Sequence, residues 1–522
     1  MTMKKLRLGT RRSALAWVQS SQVAAALRAA HPGLEVELVG IDTRGDRVLD
    51  KPLSAMEGKE FFTAEIDAAL LEGRVDFTVH SLKDLSLERP PALVLAAVPK
   101  RANPRDIAIF AADVPERLAA GKGLRVGTSS PRRGELLPPF FARALPFASR
   151  NTITLENLRG NVDGRLRRLR EPRGAERHLD GIVLALAGLS RLFADTATER
   201  EGRKLLTELL QDLHLMVLPL TDSPGAPGQG ALAIECRADD SDTRALLATL
   251  EHPETRGAIA IERALLSEHG GGCHQRFGAS LQWLPELGGL LQIAGRSSNG
   301  ADLAERRWTS EHALPEHVGV VRAWDGSTAP HANATALMSA TELGAKLHGN
   351  AVFIAHSRAL PEGAANALAG KAVWTSGTKS WFALAAQGVW VQGCAEGLGA
   401  AAAAALASEP VLRLPSLNQW TVLTHGAAVE PWQSGSWAGA QVLPTYAVDE
   451  SALPDATALS SATHVFWSST AQFERGKQTV NAQAQHASGP GKTAEHIRRA
   501  GVRHFRAFPS AEEWRKWTAK AR

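Results

Sequence analysis

Apolar and polar positions follow two rhythms in the first half of the chain. "KLRLGT" and "LEVELVGI" alternate with period two, and the intervening "SALAWVQSSQVAAALRAA" returns apolar residues at helical spacing, so the chain opens as strand, amphipathic helix, strand. "RVDFTVH" continues the strand pattern with Val75, Phe77 and Val79 on one face. "LRVGTSS" and "GIVLALAG" are nearly continuous apolar runs that end in loops, as expected of parallel strands covered on both faces. Strands alternating with helices predict doubly wound α/β domains, whose ligands sit beyond the carboxyl ends of the strands.

A second pattern repeats itself further on. "VFIAHS" is followed by "TSGTKSWFALAAQGV", and "VFWSS" by "ASGPGKTAEHIRRAGV". In both copies a lysine (Lys379, Lys492) precedes a Gly-Val pair (Gly388, Gly501) by nine residues, which predicts strand, Ser-Gly turn, helix, glycine cap and strand twice over. Two similar α/β lobes follow. Between the two patterns, "TELGAKLHG" is expected to be the closing helix of the first unit, with Gly349 as its cap.

Composition sharpens this division. Trp17 stands alone in the first 280 residues, while the other twelve tryptophans fall between Trp283 and Trp517, so at least two units are joined. A length of 522 residues with 44% hydrophobic content accommodates three to five domains. The net charge of +5 does not call for nucleic acid as a partner. The alanine run at 399–407 is too short for a membrane span and reads as a surface helix. The basic opening "MTMKKLRLGTRRSALAWVQSSQ" has its apolar run broken before signal length, so no membrane or export segment is expected. Cys236, Cys273 and Cys394 are too few and too scattered for a disulfide framework or a CxxC metal site, which favours a cytoplasmic protein without a metal.

Charge becomes informative where it clusters. "HSLKDLS" (80–86) sets Lys83 beside Asp84 at the end of a strand, where a carboxylate can hold a cationic reacting group while the ammonium holds an anionic substituent. Three more loops carry arginine and hydroxyl groups: "GTRRS" with Arg11 and Arg12, "GTSSPRRGE" with Ser129, Arg132 and Arg133, and "NLRGNVDGRLRRLR" with Arg159 and Arg165. Guanidinium forks at several strand ends converge in a doubly wound fold and point to a polyanionic small ligand. Arg167, Arg168 and Arg170 read as solvent face. Three tempting motifs fail on context. "GQGALA" precedes a strand instead of joining strand to helix, "GPGKT" lacks the upstream glycine of a phosphate loop, and His274 points away from its neighbour Cys273 in extended chain.

Taken in order, "LGTRRSALAWVQ", "EGKEFFTAEID", "DFTVHSLKDL", "VGTSSPRRGELL", "LRGNVDGRLRRL", "GIVLALAGLSRL", "SPGAPGQGALAIECR", "AIERALL" and "GGGCHQRFGA" resemble the porphobilinogen deaminase (hydroxymethylbilane synthase) family over residues 4–349. The resemblance implies two periplasmic-binding-protein-like α/β domains, at 1–103 with 204–222 and at 104–203, and a small α+β domain at 223–349. It implies Asp84 as the catalytic carboxylate and Cys273 as the thioether anchor of a covalent dipyrromethane cofactor built from substrate. Lys83, Ser129, Arg132 and Arg133 match cofactor-binding positions; Arg11, Gln19, Lys59, Ser81, Arg159, Arg165 and Arg191 match positions that hold the acetate and propionate groups of substrate. The partners so implied are porphobilinogen and the linear tetrapyrrole, with a monomeric chain and neither nucleic acid nor membrane. The pattern departs from the family at "GKEFF" and at "HQRFG" after the cysteine.

Residues 350–522 resemble the uroporphyrinogen-III synthase family through the two repeated lobes, "LTHGAAVEPWQSGSWAGAQVLPTYAVDE" and the "HASGPGKTAEHIRRAGVRHFRAFPS" tail. That resemblance implies a cofactor-free ring closure, with Tyr446, the sole tyrosine of the chain, as a candidate general acid, and Thr378, Ser380 and Thr493 at helix starts near substrate carboxylates. Two other readings stand beside the bifunctional one: a deaminase with an inactive interaction or stability domain, and a binding protein that holds an anionic ligand without chemistry.

Overall fold

The computed structural model describes residues 5–43, 63–147, 152–194, 200–269, 275–285, 287–308, 320–326, 334–433, 435–448 and 456–520. The chain divides into two compact units, one drawn from 1–142, 150–282 and 291–306, the other from 307–522 with the short segments 143–149 and 283–290.

In the first unit the strands run β1 (Lys5–Arg11), β2 (Glu35–Ile41), β3 (Phe77–Ser81), β4 (Leu93–Ala97), β5 (Asp106–Phe110), β6 (Leu124–Gly127), β7 (Ile153–Glu156), β8 (Gly181–Ala185), β9 (His214–Val217) and β10 (Leu232–Arg237). They form two five-stranded sheets, ordered β2-β1-β3-β10-β4 and β7-β6-β8-β5-β9. Each has a parallel trio (β2-β1-β3, β7-β6-β8) and an antiparallel strand next to it, β10 against β3 in one sheet and β5 against β8 in the other. The expected helix spans Ala14–Ala30, capped by the Ser13 hydroxyl, and buries Val18, Val23, Ala24 and Leu27. Val23 and Leu27 pack with Leu6, Leu8, Phe77 and Val79. Val75 packs separately, with Ile41, Ile66 and Leu70.

One boundary differs from the expectation. The chain leaves the first sheet between β4 and β5 and returns between β9 and β10, so the strand within 204–222 lies in the second sheet, paired with β5. The return strand is β10, residues 232–237, which lies between β3 and β4 and is buried along most of its length. Both segments are short apolar runs, and which sheet receives each is set by pairing with distant residues.

A third sheet orders β11 (Arg276–Leu284), β12 (Gly288–Arg296) and β13 (Asp302–Trp308). The helix Pro253–Glu268 covers it, with Ala258, Leu265 and Leu266 against Phe277, Ala279, Leu281, Leu291 and Ile293. Each such buried leucine contributes roughly 2 kcal/mol. Glu262 of this helix is fully buried and accepts four hydrogen bonds: Arg101 Nη1 at 2.6 Å and Nη2 at 2.9 Å, Gly228 N at 2.7 Å and Leu281 N at 2.7 Å. One carboxylate thereby ties both crossings between the first two sheets to the third.

The second unit contains β14 (Ala323–Trp324), β15 (Ala334–Ala336), β16 (Ala351–Ile354), β17 (Ala372–Thr375), β18 (Gly393–Cys394), β19 (Trp420–His425), β20 (Gln441–Val448), β21 (His464–Trp467), β22 (Gln485–Ser488) and β23 (Phe505–Ala507). They build a six-stranded sheet, β15-β20-β19-β16-β17-β18, and a four-stranded one, β14-β21-β22-β23, and so the two repeated lobes. Gly388 and Gly501 both adopt left-handed φ, at 88° and 76°, after the helices Thr378–Ala386 and Lys492–Arg499, as the repeat predicts. The tryptophan excess is core: Trp374, Trp381, Trp420, Trp437, Trp467 and Trp514 are fully buried. The expected surface helix, Ala400–Ala407, buries only Ala403 and Leu406.

The closing helix assigned to the first unit is a correction. It spans Ala340–Lys346, opens with a Ser339–Glu342 capping box, is followed by Leu347 at its cap, and belongs to the second unit. Gly349 instead meets the Gln419 carbonyl too closely for any Cβ. β14 and β15 pair with β21 and β20, so the second unit begins well before residue 350. No described helix is long and apolar enough to cross a membrane.

The buried core of the four-stranded lobe makes its stability pH-dependent. His486 Nδ1 accepts the Trp467 indole N–H at 3.0 Å, and burial pushes its pKa down to about 4. The unfolded chain, titrating near 6.5, binds the proton first, so this contribution is complete above pH 6.5 and is lost as pH falls from there to 4. Denaturant unfolding followed by tryptophan fluorescence is expected to show roughly 2 kcal/mol of loss between pH 7 and 4.5 from this group. His486→Gln, which keeps an acceptor and removes the titration, flattens that dependence.

Candidate functional site

β3 ends at Ser81, and a single 3-10 turn, Leu82–Asp84, reverses the chain. The turn drives Leu82 into the core and leaves Lys83 half-buried and Asp84 exposed. It is held by Leu82 N donating to the Ala231 carbonyl at 3.0 Å. Gly228, at φ 79°, is required here, because a Cβ would lie 2.5 Å from Leu82 Cδ2.

Around this turn the expected residues gather. Gln19 Nε2 donates to Ser81 Oγ at 3.0 Å. Burial lowers the Lys83 pKa, opposed by Asp84 and reinforced by Arg133. Burial likewise lowers Arg165 to about 10, with Arg133 and Arg159 adding repulsion and Asp84 opposing it. Lys83, Asp84, Arg133, Arg159 and Arg165 therefore share one electrostatic neighbourhood. Arg165 Nε donates to the Gly160 carbonyl at 2.8 Å, and Arg191 Nη2 to the Gly230 carbonyl at 2.7 Å; burial lowers Arg191 to about 10. Ser129 Oγ bonds the Leu158 carbonyl and accepts Leu158 N at 3.2 Å, which places Arg159 next to the "GTSSPRR" loop. Arg11 is half-buried, at the end of β1.

Arg132 and Arg133 are not free forks. Both are buried and converge on Asp106, which is fully buried: Arg132 Nη2 reaches Oδ2 at 2.7 Å, and Arg133 reaches Oδ1 from Nη2 at 2.7 Å and Oδ2 from Nε at 3.1 Å. Gln229 Nε2 adds a bond to Asp106 Oδ1 at 2.9 Å, and Lys83 Nζ donates to Gln229 Oε1 at 3.4 Å. Sequence reasoning gave no role to Asp106 or Gln229, although "APGQGA" lies in a segment it singled out.

Cys273 and Lys59 lie outside the described residues. The chain on either side of the cysteine is fixed: the helix Pro253–Glu268 ends before it, and β11 starts at Arg276. Arg276 Nε donates to Glu135 Oε1 at 2.7 Å, on the helix that carries Arg132 and Arg133. Gly278 abuts the Pro224 carbonyl, which accepts Arg132 Nη1 at 2.8 Å.

Asp67, His80 and Glu235 form a buried trio of the kind that can hold a metal. Here Arg89 takes that place, donating to Asp67 Oδ1 at 2.7 Å and Glu235 Oε2 at 2.7 Å.

In the second unit Tyr446 sits in β20, buried, with the His425 ring 5.9 Å away across the β19–β20 pair. Burial raises its pKa. The helices Ala400–Ala407 and Lys492–Arg499 begin at Gly399 and Gly491, which approach so closely that a Cβ on either would lie about 3.3–3.4 Å from the other's Cα. Lys492 Nζ stands 4.1 Å from the Trp432 ring centroid.

Two mixed sheets joined by two crossings, whose strand ends gather the exposed Asp84 carboxylate and several guanidinium groups, define a two-domain α/β unit. The family model described as porphobilinogen deaminase, dipyromethane cofactor binding domain, matches residues 6–245. A porphobilinogen deaminase of Roseiflexus castenholzii is 45% identical over 274 residues, which is 52% of this chain and 80% of the relative. One from Xanthomonas oryzae pv. oryzae is 41% identical over 301 residues, 57% of this chain and 88% of the relative. The chain belongs to the porphobilinogen deaminase family.

Proposed function

We propose that the amino-terminal unit joins four porphobilinogen molecules, with loss of ammonia, into hydroxymethylbilane on a dipyrromethane held by Cys273, and that the carboxy-terminal unit closes this product with ring inversion to uroporphyrinogen III. The observation that carries the first half is the convergence of Lys83, Arg133, Arg159 and Arg165 on the neighbourhood of Asp84. The second half rests on the two-lobed fold, the buried Tyr446 and the resemblance of residues 350–522.

The residues present fit a dipyrromethane. Its pyrroles bring several carboxylates, and Lys83, Arg132, Arg133, Arg159 and Arg165 supply cations, while Arg132 Nε is a buried donor with no acceptor among the described residues. When bound, the group supplies a nucleophilic pyrrole carbon at which the chain grows. Asp84 faces the porphobilinogen aminomethyl group, assists protonation of the departing amine and stabilises the cationic pyrrole left behind. Arg11, Arg159, Arg165 and Arg191 orient the acetate and propionate groups. Six pyrroles, two of the cofactor and four of substrate, bring about a dozen negative charges, each costing several kcal/mol if buried without a partner, which accounts for the arginine loops.

In the second unit Tyr446 donates its proton to the departing hydroxyl, and the helix starts near Thr378, Ser380 and Thr493 offer N–H groups to carboxylates. Tethering the two sites favours capture of an intermediate that otherwise closes spontaneously without inversion.

Intact mass and product isomer analysis of one purified sample test both halves. The expected results are a mass increase of two pyrrole units that is absent in Cys273→Ser, and the type III ring as main product. An unmodified cysteine in freshly made active protein overturns the first half. Type I as main product overturns the second and leaves a deaminase with an inactive carboxy-terminal domain.

A further inference from the structure

Asp106 is the one carboxylate at the centre of the buried arginine pair, and its chemistry is unbalanced. Arg132 and Arg133 bring two positive charges against its single negative one, while Lys83, whose charge is countered by Asp84, reaches the cluster only through Gln229. Asp106 and both guanidinium groups are almost inaccessible to water. Buried charges of this kind are stable only when paired and hydrogen-bonded, so the cluster as folded carries excess cation that an anion from outside can satisfy. Desolvation pulls the Arg132 pKa down and the two arginines hold Asp106 strongly ionised.

The geometry gives the acceptor a place. Arg133 spends Nε and Nη2 on Asp106 and Nη1 on the Val183 carbonyl at 2.8 Å. Arg132 spends Nη1 on Pro224 and Nη2 on Asp106, and its Nε–H is buried and has no acceptor among the described residues. An unsatisfied N–H of a buried charged group is costly, and the penalty is removed when a carboxylate arrives. The Pro224 carbonyl that holds Arg132 also abuts Gly278 of β11, the strand that follows Cys273 in the sequence. The under-neutralised pair thus lies close to β11, which starts at Arg276.

We propose that Asp106 is a positioning residue for cofactor capture: it locks Arg132 and Arg133 into one buried, incompletely neutralised pair, fixed so that a carboxylate of the dipyrromethane completes it at Arg132. This rests on the deaminase reading and adds to it a residue that touches neither substrate nor the reacting atoms. Asp106→Asn leaves the two guanidinium groups facing each other with only a weak amide acceptor. Asp106→Glu keeps the charge.

The test uses full-length apoprotein, made without a porphobilinogen supply, then given hydroxymethylbilane as the loading probe. Loading is followed by intact mass, and folding by circular dichroism and the rise in melting temperature on loading. Expected are a loading rate at least about tenfold lower for Asp106→Asn, equivalent to the loss of one charged hydrogen bond, and partial recovery in Asp106→Glu. A folded Asp106→Asn that loads at the wild-type rate overturns the proposal. Should Asp106→Asn not fold, Asp106→Glu decides: it keeps the charge but displaces it by one methylene, so slowed loading with an unchanged apoprotein melting temperature supports the proposal and wild-type loading overturns it. Wild-type protein that gains no pyrrole mass overturns the deaminase reading itself, a result distinct from either variant outcome.

Discussion

Asp84→Asn is expected to lower the turnover of porphobilinogen by about 10²- to 10⁴-fold, the range in which a positioned acid or base contributes. The side chain is exposed at the tip of a 3-10 turn whose hold on the core is Leu82, so the substitution leaves the fold in place and its effect on stability stays within about 0.5 kcal/mol. An amide in that position keeps size and polarity but can neither balance a pyrrole cation nor relay a proton to the leaving amine. The cations around it make the loss larger. Arg133, Arg159 and Arg165 lie close enough to be felt together, and without the carboxylate they oppose any positive charge that develops on the substrate. The check is steady-state ammonia release at saturating substrate, beside a thermal melt. A fall in rate with unchanged melting marks a chemical role, and an unchanged rate removes Asp84 from the mechanism. Asp84→Glu, which keeps the charge on a longer arm, is expected to retain part of the activity.

The Lys83-Asp84 turn stands out in the sequence for a physical reason, while its catalytic role is what the family resemblance implies. A strand that ends in a charged turn is a local pattern, and the fold places such ends together. The repeated lobes are legible for a similar reason, since Gly388 and Gly501 must each follow a helix in a left-handed conformation that few other residues accept. Pairing between distant segments leaves no such mark. β9 and β10 are both short apolar strands, and nothing in "HLMV" or "LAIECR" says which sheet will accept it. Asp106 stands 26 residues before Arg132, in a segment that reads only as the start of a strand, so its capture of both guanidinium groups emerges only from the folded chain. β14 and β15, two and three residues long, have no period to detect, which is why the second unit starts earlier than its sequence suggests. An anchoring role for Cys273 is what the family resemblance implies; composition and spacing alone leave it a thiol among glycines.

Tyr446→Phe is expected to convert the product from mainly the type III ring to mainly type I, with the deaminase rate unchanged. The phenol lies in β20 beside His425 of β19, and burial raises its pKa above the ordinary value of 10, with the Arg358 charge opposing the shift. It therefore remains an O–H donor throughout the physiological range, the form required to protonate a departing hydroxyl. Removing the oxygen alone keeps the ring and its packing, so the lobe stays folded and the synthase step slows by about 10²-fold. Hydroxymethylbilane then leaves faster than it is closed, and the spontaneous reaction without inversion takes over. The product ratio is a sensitive readout because both routes draw on one pool of intermediate made by the same chain. A structural phenol gives a different result: Tyr446→Phe then leaves the isomer ratio where it was, and any change appears in the melting temperature instead. Type III product from Tyr446→Phe at the wild-type proportion excludes the phenol as the proton donor and shifts attention to the helix starts at Gly377 and Gly491, where backbone N–H groups alone would have to steer the chain.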